Sequence, residues 1–254
     1  QDPKLARDVI PGRIHPSPVG ELVMAQSLLE AWNAPSTVSA VTIDAINKVI
    51  SQSDNTAVSR LENSDVKISW TQKDKSLPFP ILGLHEDWPQ FPPTENDQWG
   101  KPFFFWPAPQ PKWDYTNASA EMMIGFSRFY QALDQELLTV ARLQPGNYQL
   151  KINGQVVGEF TDQQLNNGIN LAAYKTPMLE QAYRVLALVW KQTQWRYFAW
   201  RDIQVRLMDD NDRKVQKAAD SLIAALEAQK EKIVEQQHDA AQPQRTHYEL
   251  TRVN

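Results

Sequence analysis

Cysteine is absent from the 254 residues, which excludes disulfides and thiolate metal sites. Histidine is scarce and scattered (His15, His85, His238 and His247), so the sequence predicts no metal cluster and no cofactor. No run of about 18 apolar residues occurs, so we expect no membrane-spanning helix and no membrane partner. A basic excess is also missing, because 26 basic residues stand against 30 acidic ones and the net charge is -4. This balance argues against a nucleic-acid partner.

The hydrophobic fraction of 42% is sufficient for a real core, in one large domain or two small ones. The chain begins with Gln1 rather than Met and shows no signal peptide. This predicts either a processed chain or a fragment, and the motif described below favours a fragment.

Proline and tryptophan are abundant, with 17 and 9 residues, and both are concentrated between residues 78 and 113. This stretch has no clean period, and we interpret it as a long loop packed over a surface. The alternative is a carbohydrate platform, in which the rings of Trp88 and Trp106 would stack on sugars. The neighbouring run His85-Glu86-Asp87 is a weak candidate for a metal or acid–base group, because three adjacent residues of an extended chain do not point the same way.

Hydrophobic periodicity predicts an α+β fold. Strands are expected at 38–43, 66–70, 136–142, 148–152 and 155–160, with Asn153-Gly154 as a hairpin turn and Thr161 opening a capping box. These signals predict a small antiparallel sheet over roughly 136–172, flanked by amphipathic helices. Helices are expected at 17–32, 118–131, 177–190 (with a possible continuation to 208) and 213–237. Residues 52–65 are predicted to contain a loop, and the polar tail from 240 is predicted to fray.

The most informative stretch is Asp8-Val-Ile-Pro-Gly-Arg-Ile-His15-Pro-Ser-Pro-Val-Gly20, which precedes the first helix. Prolines on both sides of His15 predict a rigid extended loop at the start of that helix. A histidine held in this way suits general-base catalysis, because its near-neutral pKa allows it to take a proton from a serine hydroxyl. Asp8 is the nearest upstream carboxylate that could orient it. The alternative is an ordinary loop histidine between prolines.

Residues 8–32 resemble the last sequence block of SGNH (GDSL-type) hydrolases, which commonly reads Asp-x-x-His-Pro, a small residue, a Gly and a helix rich in Leu and Ala. The resemblance implies that residues 1–35 are the final loop and helix of an α/β/α hydrolase domain. It also implies that His15 is the catalytic base. The family's acid would stand three residues before His15, where this sequence has Gly12. A Ser-His dyad, a substitute acid such as Asp8 and an inactive site therefore all stay open.

The family's Gly-Asp-Ser nucleophile motif does not occur in the chain. The resemblance therefore implies a fragment of a serine esterase that cleaves an acyl ester, possibly on a carbohydrate, with the nucleophile in an upstream part of the same domain. Alone, the chain is expected to be inactive, because a base without a nucleophile and oxyanion donors has nothing to act on. The resemblance makes a secreted or periplasmic location plausible.

Two further segments complete the predicted organisation: an accessory module at 36–208, and a helix with a polar tail at 209–254. A second hypothesis is that the accessory module only binds glycan or packs on the hydrolase core. A third is a degenerate scaffold protein, for which Gly12 is the evidence.

Overall fold

A computed structural model describes residues 9, 10, 14, 16–64, 66–81 and 124–253. These residues form two compact units. The first contains the described residues up to 81, residues 124–181 and the chain from 243 onward. The second contains residues 182–242. The predicted sites His15, Asp8, Gly12, Trp88 and Trp106 all lie outside the described residues.

The first unit contains the strands, which fall into two sheets. In chain order they are β1 (Thr37–Asp44), β2 (Val49–Asp54), β3 (Thr56–Asn63), β4 (Lys67–Asp74), β5 (Gln135–Ala141), β6 (Asn147–Ile152), β7 (Gln155–Thr161), β8 (Ile169–Asn170) and β9 (Arg245–Val253). One sheet has the order β2-β1-β5-β8 and is mixed, because β1 and β5 run parallel. The other has the order β3-β4-β9-β6-β7 and is antiparallel throughout.

The two sheets share one hydrophobic core. Val41 and Leu138 of the mixed sheet belong to the same buried cluster as Trp70, Leu150 and Tyr248 of the antiparallel sheet. The period of two along each strand explains this arrangement, because alternate side chains point to one face. Tyr248 on the central strand β9 pairs with Trp70 in register, and their rings stack at 4.9 Å.

The helices of the first unit are α1 (Pro18–Ala31), α2 (Phe129–Leu133) and α3 (Asp162–Asn167). Helix α3 begins at the predicted capping box, in which the Thr161 side chain accepts from the Gln164 N–H and the Gln164 side chain accepts from the Thr161 N–H. Residues 124–127 are also helical, but Arg128 adopts a left-handed conformation at φ 55° and separates them from α2. The helix predicted at 118–131 is therefore interrupted within its described part.

The second unit is helical in its described part. Helix α4 (Pro177–Tyr197) begins in the first unit and continues as a π-helix at Phe198–Gln204. Helix α5 (Arg213–Ala240) follows, with Asp212 as its N-cap. These bounds confirm the predicted helices at 177–190 and 213–237. The helix at 177–190 also continues, as a π-helix as far as Gln204, in the direction of the predicted end at 208. Among the described residues, no helix is long and apolar enough to cross a membrane.

The α+β class is confirmed, but three predictions about the sheets are wrong. The strands of the predicted antiparallel sheet at 136–172 are divided between two sheets, with β5 and β8 in one and β6 and β7 in the other. Residues 52–65 contain the end of β2 and all of β3, which belong to different sheets, instead of a loop. The polar tail is instead the central strand β9, whose inward residues Thr246, Tyr248 and Leu250 are buried.

Candidate functional site

The N-terminus of α1 is closed by a set of short contacts. The Ser17 backbone N–H donates to the carbonyl oxygen of Val9 at 2.9 Å. The Ser17 hydroxyl oxygen then accepts from the Gly20 N–H at 3.2 Å and caps the helix. A serine cap of this kind satisfies one of the backbone N–H groups that the first turn leaves unpaired. The chain that joins Val9 to Ser17 contains His15, so its two ends are fixed against each other.

Gly20 is required by this closure. A Cβ built on Gly20 would collide with the Val9 carbonyl oxygen and would lie 3.0 Å from the Cβ of Pro16. The backbone of α1 can therefore approach the Val9–Ser17 connection only where no side chain intervenes. The helix start, the glycine and the loop ends form one packed unit, which we call the loop closure (Val9, Pro16, Ser17 and Gly20).

Helix α1 is apolar on two sides, and the described residues cover only one of them. Its Leu22 side packs against a cluster formed by Ile81, Ile124 and Phe129. Gln26 is also buried, and its Nε2 donates to the Ser127 carbonyl at 2.7 Å.

The other side of α1 carries an exposed apolar stripe of three residues at a spacing of four: Met24 at 63%, Leu28 at 48% and Trp32 at 68% exposure. A spacing of four places them on one helix face. A helix that is apolar on both sides is normally buried on both. The stripe therefore has the character of a docking face.

A second feature is a group of buried carboxyls at one end of the core between the two sheets. Asp74 follows Trp70 and Gln72 at alternate positions of β4, while Glu136 shares the inward face of β5 with Leu138. Asp134 lies just before β5, and its Oδ1 accepts from the Phe79 N–H at 3.0 Å. Each of the three carboxyls is at most 4% exposed.

Burial favours the neutral form of each of these carboxyls. Burial raises the pKa of Asp134 to about 7, although the hydrogen bond from the Phe79 N–H acts in the opposite direction and lowers it. Burial also raises the pKa of Glu136 well above its usual value, and the charges of Asp74 and Asp134 add to the shift. Both Glu136 side-chain oxygens lack a hydrogen-bond partner within the described structure. The pKa of Asp74 is likewise raised by burial.

The group is tied to the stacked aromatic pair of the core. The Trp70 Nε1 donates to Gln72 Oε1 at 3.1 Å, and Gln72 Nε2 donates to Asp74 Oδ1 at 2.7 Å. Strongly shifted carboxyls are candidates for catalysis as well as for structural roles. Within the described residues, no group of three or more His, Asp and Glu side chains could hold a metal ion.

Comparison with known proteins gives one informative match. No family model matches the chain, and no curated protein does. A solved structure described as BT4096, a gut microbial diltiazem-metabolizing enzyme, is similar over 95% of this chain with a TM-score of 0.69 and 21% identity. At this identity the match shows a shared fold. The similarity covers 56% of that protein, so the chain spans just over half of its length.

The predicted site residues lie outside the part of the chain that the structure describes. His15, Asp8 and Gly12 belong to the segment around the loop closure, but the structure describes none of them, and it does not describe Trp88 or Trp106. The prediction of His15 as base and Asp8 as its partner therefore stays a prediction. The helix predicted from residue 17 is confirmed, because α1 begins at Pro18 with Ser17 as its N-cap.

The buried carboxyl group is not among the sites predicted from the sequence. A signal for it exists, because the period of two that predicted β5 as a strand also places Glu136 on the face of Leu138 and Val140. The same period places Asp74 on the face of Trp70 and Gln72. A charged residue in phase with core residues indicates a buried carboxyl from the residue pattern alone.

Proposed function

We propose that this chain is the C-terminal part of a serine ester hydrolase of the SGNH type, with His15 as its general base. The observation that carries the proposal is the loop closure. It joins the two ends of the segment that contains His15. It also leaves no room for a side chain at Gly20, the glycine of the block that resembles the SGNH hydrolases.

In the proposed reaction, His15 takes the proton of a serine hydroxyl supplied by the upstream part of the protein. The serine oxygen attacks the acyl carbonyl, and the resulting tetrahedral oxyanion requires donors that also come from that part. His15 returns the proton to the alcohol oxygen as the C–O bond breaks, leaving an acyl-enzyme. Water, deprotonated by the same histidine, then releases the acid and restores the serine.

The exposed stripe of α1 supports an upstream part of this kind. Met24, Leu28 and Trp32 give the helix a second apolar side, which the proposed hydrolase core would cover. The similarity to only 56% of the solved protein agrees with a longer architecture. That protein is described as a diltiazem-metabolizing enzyme, which supports an enzymatic role for a protein of this fold. The acyl ester as substrate, a carbohydrate as its carrier and a secreted or periplasmic location rest on the resemblance of residues 8–32.

The test begins with the open reading frame from which the chain comes. We expect a Gly-Asp-Ser motif about 150–200 residues before His15, a typical domain length. The longer protein should hydrolyse p-nitrophenyl acetate, while the 254-residue chain alone should not. His15→Ala should lower kcat by about a thousandfold or more, because the serine then lacks its base.

His238→Ala is the matched control, because His238 is a histidine of α5 in the second unit. Its activity should equal that of the parent protein. A start codon directly before Gln1, or full activity in the His15→Ala variant, would refute the proposal.

The acid of the site is tested separately. If Asp8 substitutes for the family acid, Asp8→Asn should lower kcat by orders of magnitude, as loss of a triad carboxylate does. If a dyad operates, Asp8→Asn should be neutral and Gly12→Asp should raise kcat. An inactive parent protein that Gly12→Asp makes active would indicate a degenerate site.

A further inference from the structure

The segment after α4 is an unusual piece of backbone. Residues Phe198–Gln204 form a π-helix, in which the Val205 N–H donates to the Trp200 carbonyl five residues earlier at 2.9 Å. The π-helix is rare and is frequently found at functional sites. Its presence in the middle of a long helical segment therefore draws attention to the side chains that it displays.

Part of the π-helix packs on helix α5. Ala199 and Ile203 are buried and pack with Ala219 and Leu226 of α5. Trp200 lies between Ala199 and Ile203 in sequence, yet it is 52% exposed. About half of the Trp200 side chain is therefore accessible at the surface.

Arginine side chains accompany this tryptophan. The Arg201 guanidinium carbon lies 5.8 Å from the centre of the Trp200 ring, within the range of a cation–π contact. Arg196 precedes Trp200 by four residues, a spacing that places both on one side of a helix. Neither arginine forms an ion pair with a described residue, whereas the nearby Arg206 pairs with Asp202 at 3.2 Å.

The charge of this segment is opposite to that of the whole chain. Residues 184–206 contain a single acid, Asp202, and five basic residues: Arg184, Lys191, Arg196, Arg201 and Arg206. The chain as a whole has a net charge of -4. Exposed basic side chains such as Arg196 and Arg201 attract anionic ligands.

We propose that Trp200, Arg201 and Arg196 form a binding site for an acidic polysaccharide that contains uronic acid residues. The apolar C–H face of a sugar ring packs on the indole, and guanidinium groups bind carboxylates through paired hydrogen bonds. A neutral glycan would leave the two arginines unused. A nucleic acid would require a wider basic surface than one tryptophan and two arginines in an acidic chain.

This site is independent of the proposed hydrolase. It uses none of the residues around His15, and it belongs to the second unit. Binding can therefore be measured on the 254-residue chain, which is expected to lack esterase activity.

The experiment measures binding of the chain to polygalacturonate by affinity electrophoresis and by titration with a short oligogalacturonate. We expect binding that weakens as salt is added. Trp200→Ala and the double variant Arg196→Gln/Arg201→Gln should each weaken it by about tenfold or more. Trp200→Phe keeps an aromatic face and should retain most of the binding.

The matched control is Arg60→Gln/Arg245→Gln, which removes the same charge from two exposed arginines of the first unit. It should bind as the parent chain does, and thermal melting should show that all variants are folded. Equal loss in the control, equal binding to neutral galactan, or no binding at low salt would overturn the proposal. Tighter binding to single-stranded DNA or to phosphatidylserine vesicles would also overturn it.

Discussion

The Val9 carbonyl oxygen accepts a hydrogen bond from the Ser17 N–H at 2.9 Å, across a connection that contains His15. This bond links the entry of the segment to the N-cap of α1, so the helix and the segment are positioned together. Catalysis by a positioned base requires such a fixed geometry, since a displacement of about 1 Å can reduce a rate by about a hundredfold. The loop closure is therefore where the proposed function is most sensitive to small changes.

Gly20→Ala should disrupt the loop closure. The added Cβ would overlap the Val9 carbonyl oxygen and press on Pro16, so the segment must move away from the helix. We expect a loss of about 1–3 kcal/mol in the free energy of unfolding, and in the longer protein a large drop in kcat. Denaturant unfolding and esterase assays measure both effects.

Gly125→Ala provides the control for Gly20→Ala. Gly125 lies in the helical residues 124–127, has no positive φ, and a Cβ there meets nothing within 4 Å. This variant should be neutral or slightly stabilising, because alanine is the better helix former. Equal effects of the two alanines would show that the close approach at Gly20 is unimportant.

Ser17→Ala should weaken the start of α1. It removes the hydroxyl oxygen that accepts from the Gly20 N–H, at a cost of about 1 kcal/mol. Ser17→Asp, which keeps an acceptor at the N-cap, should retain most of the stability. Thermal melting of the two variants side by side distinguishes a capping role from a general intolerance of substitution at this position.

The buried carboxyls should make the protein less stable as the pH rises. The pKa of Asp134 is about 7 in the folded state, against an ordinary value of 3.8. As the pH rises, the unfolded chain therefore loses this proton at a lower pH than the folded chain does. The free energy of unfolding therefore falls between about pH 4 and pH 7, with a limiting slope of about 1.4 kcal/mol per pH unit for one group. The pKa of Glu136, raised well above its usual value, extends the decrease to higher pH.

Glu136→Gln tests this pH dependence. The amide is uncharged and similar in shape, so the variant should be more stable than the parent chain at pH 8 and should show a shallower pH profile. Glu231→Gln, at an exposed position of α5, is the control and should leave the profile unchanged. Denaturant titrations at pH 5 and pH 8 give the comparison, and a profile that Glu136→Gln leaves unaltered would contradict this prediction.

Truncation after Gln242 should prevent folding of the first unit. The deletion removes β9, which pairs with both β4 and β6, and takes Tyr248 away from its stack on Trp70.

Leu250→Ala should destabilise the unit by about 2–5 kcal/mol, because a fully buried side chain is lost. Val253→Ala, at the partly exposed end of the strand, should cost far less. Circular dichroism and thermal melting report these losses.

Local signals explain what the sequence predicted correctly. The Asn153-Gly154 turn has positive φ at both residues, 51° and 81°, as a tight hairpin turn requires. The capping box at Thr161 is likewise set by residues three positions apart. Interactions at such short range are encoded in the local sequence, so these elements could be predicted.

The partners of the strands could not be predicted in the same way. Trp70 and Tyr248 are far apart in the chain, and β9 resembles a polar tail because exposed residues such as Arg245 and His247 alternate with buried ones. The parallel pairing of β1 with β5 also joins distant segments. The meeting of the buried carboxyls could not be predicted for the same reason, because Asp74 and Glu136 lie on strands of different sheets.

The sequence by itself determined the α+β class, the start of α1 and the β6–β7 hairpin. Each of these depends on residues close together in the chain. Only the tertiary structure decided that the C-terminal segment is a central strand and that three carboxyls share one core. It also decided that Gly20 leaves no room for a side chain and that Trp200 stays at the surface. These depend on which segments meet in space, where burial and steric contact act regardless of distance along the chain.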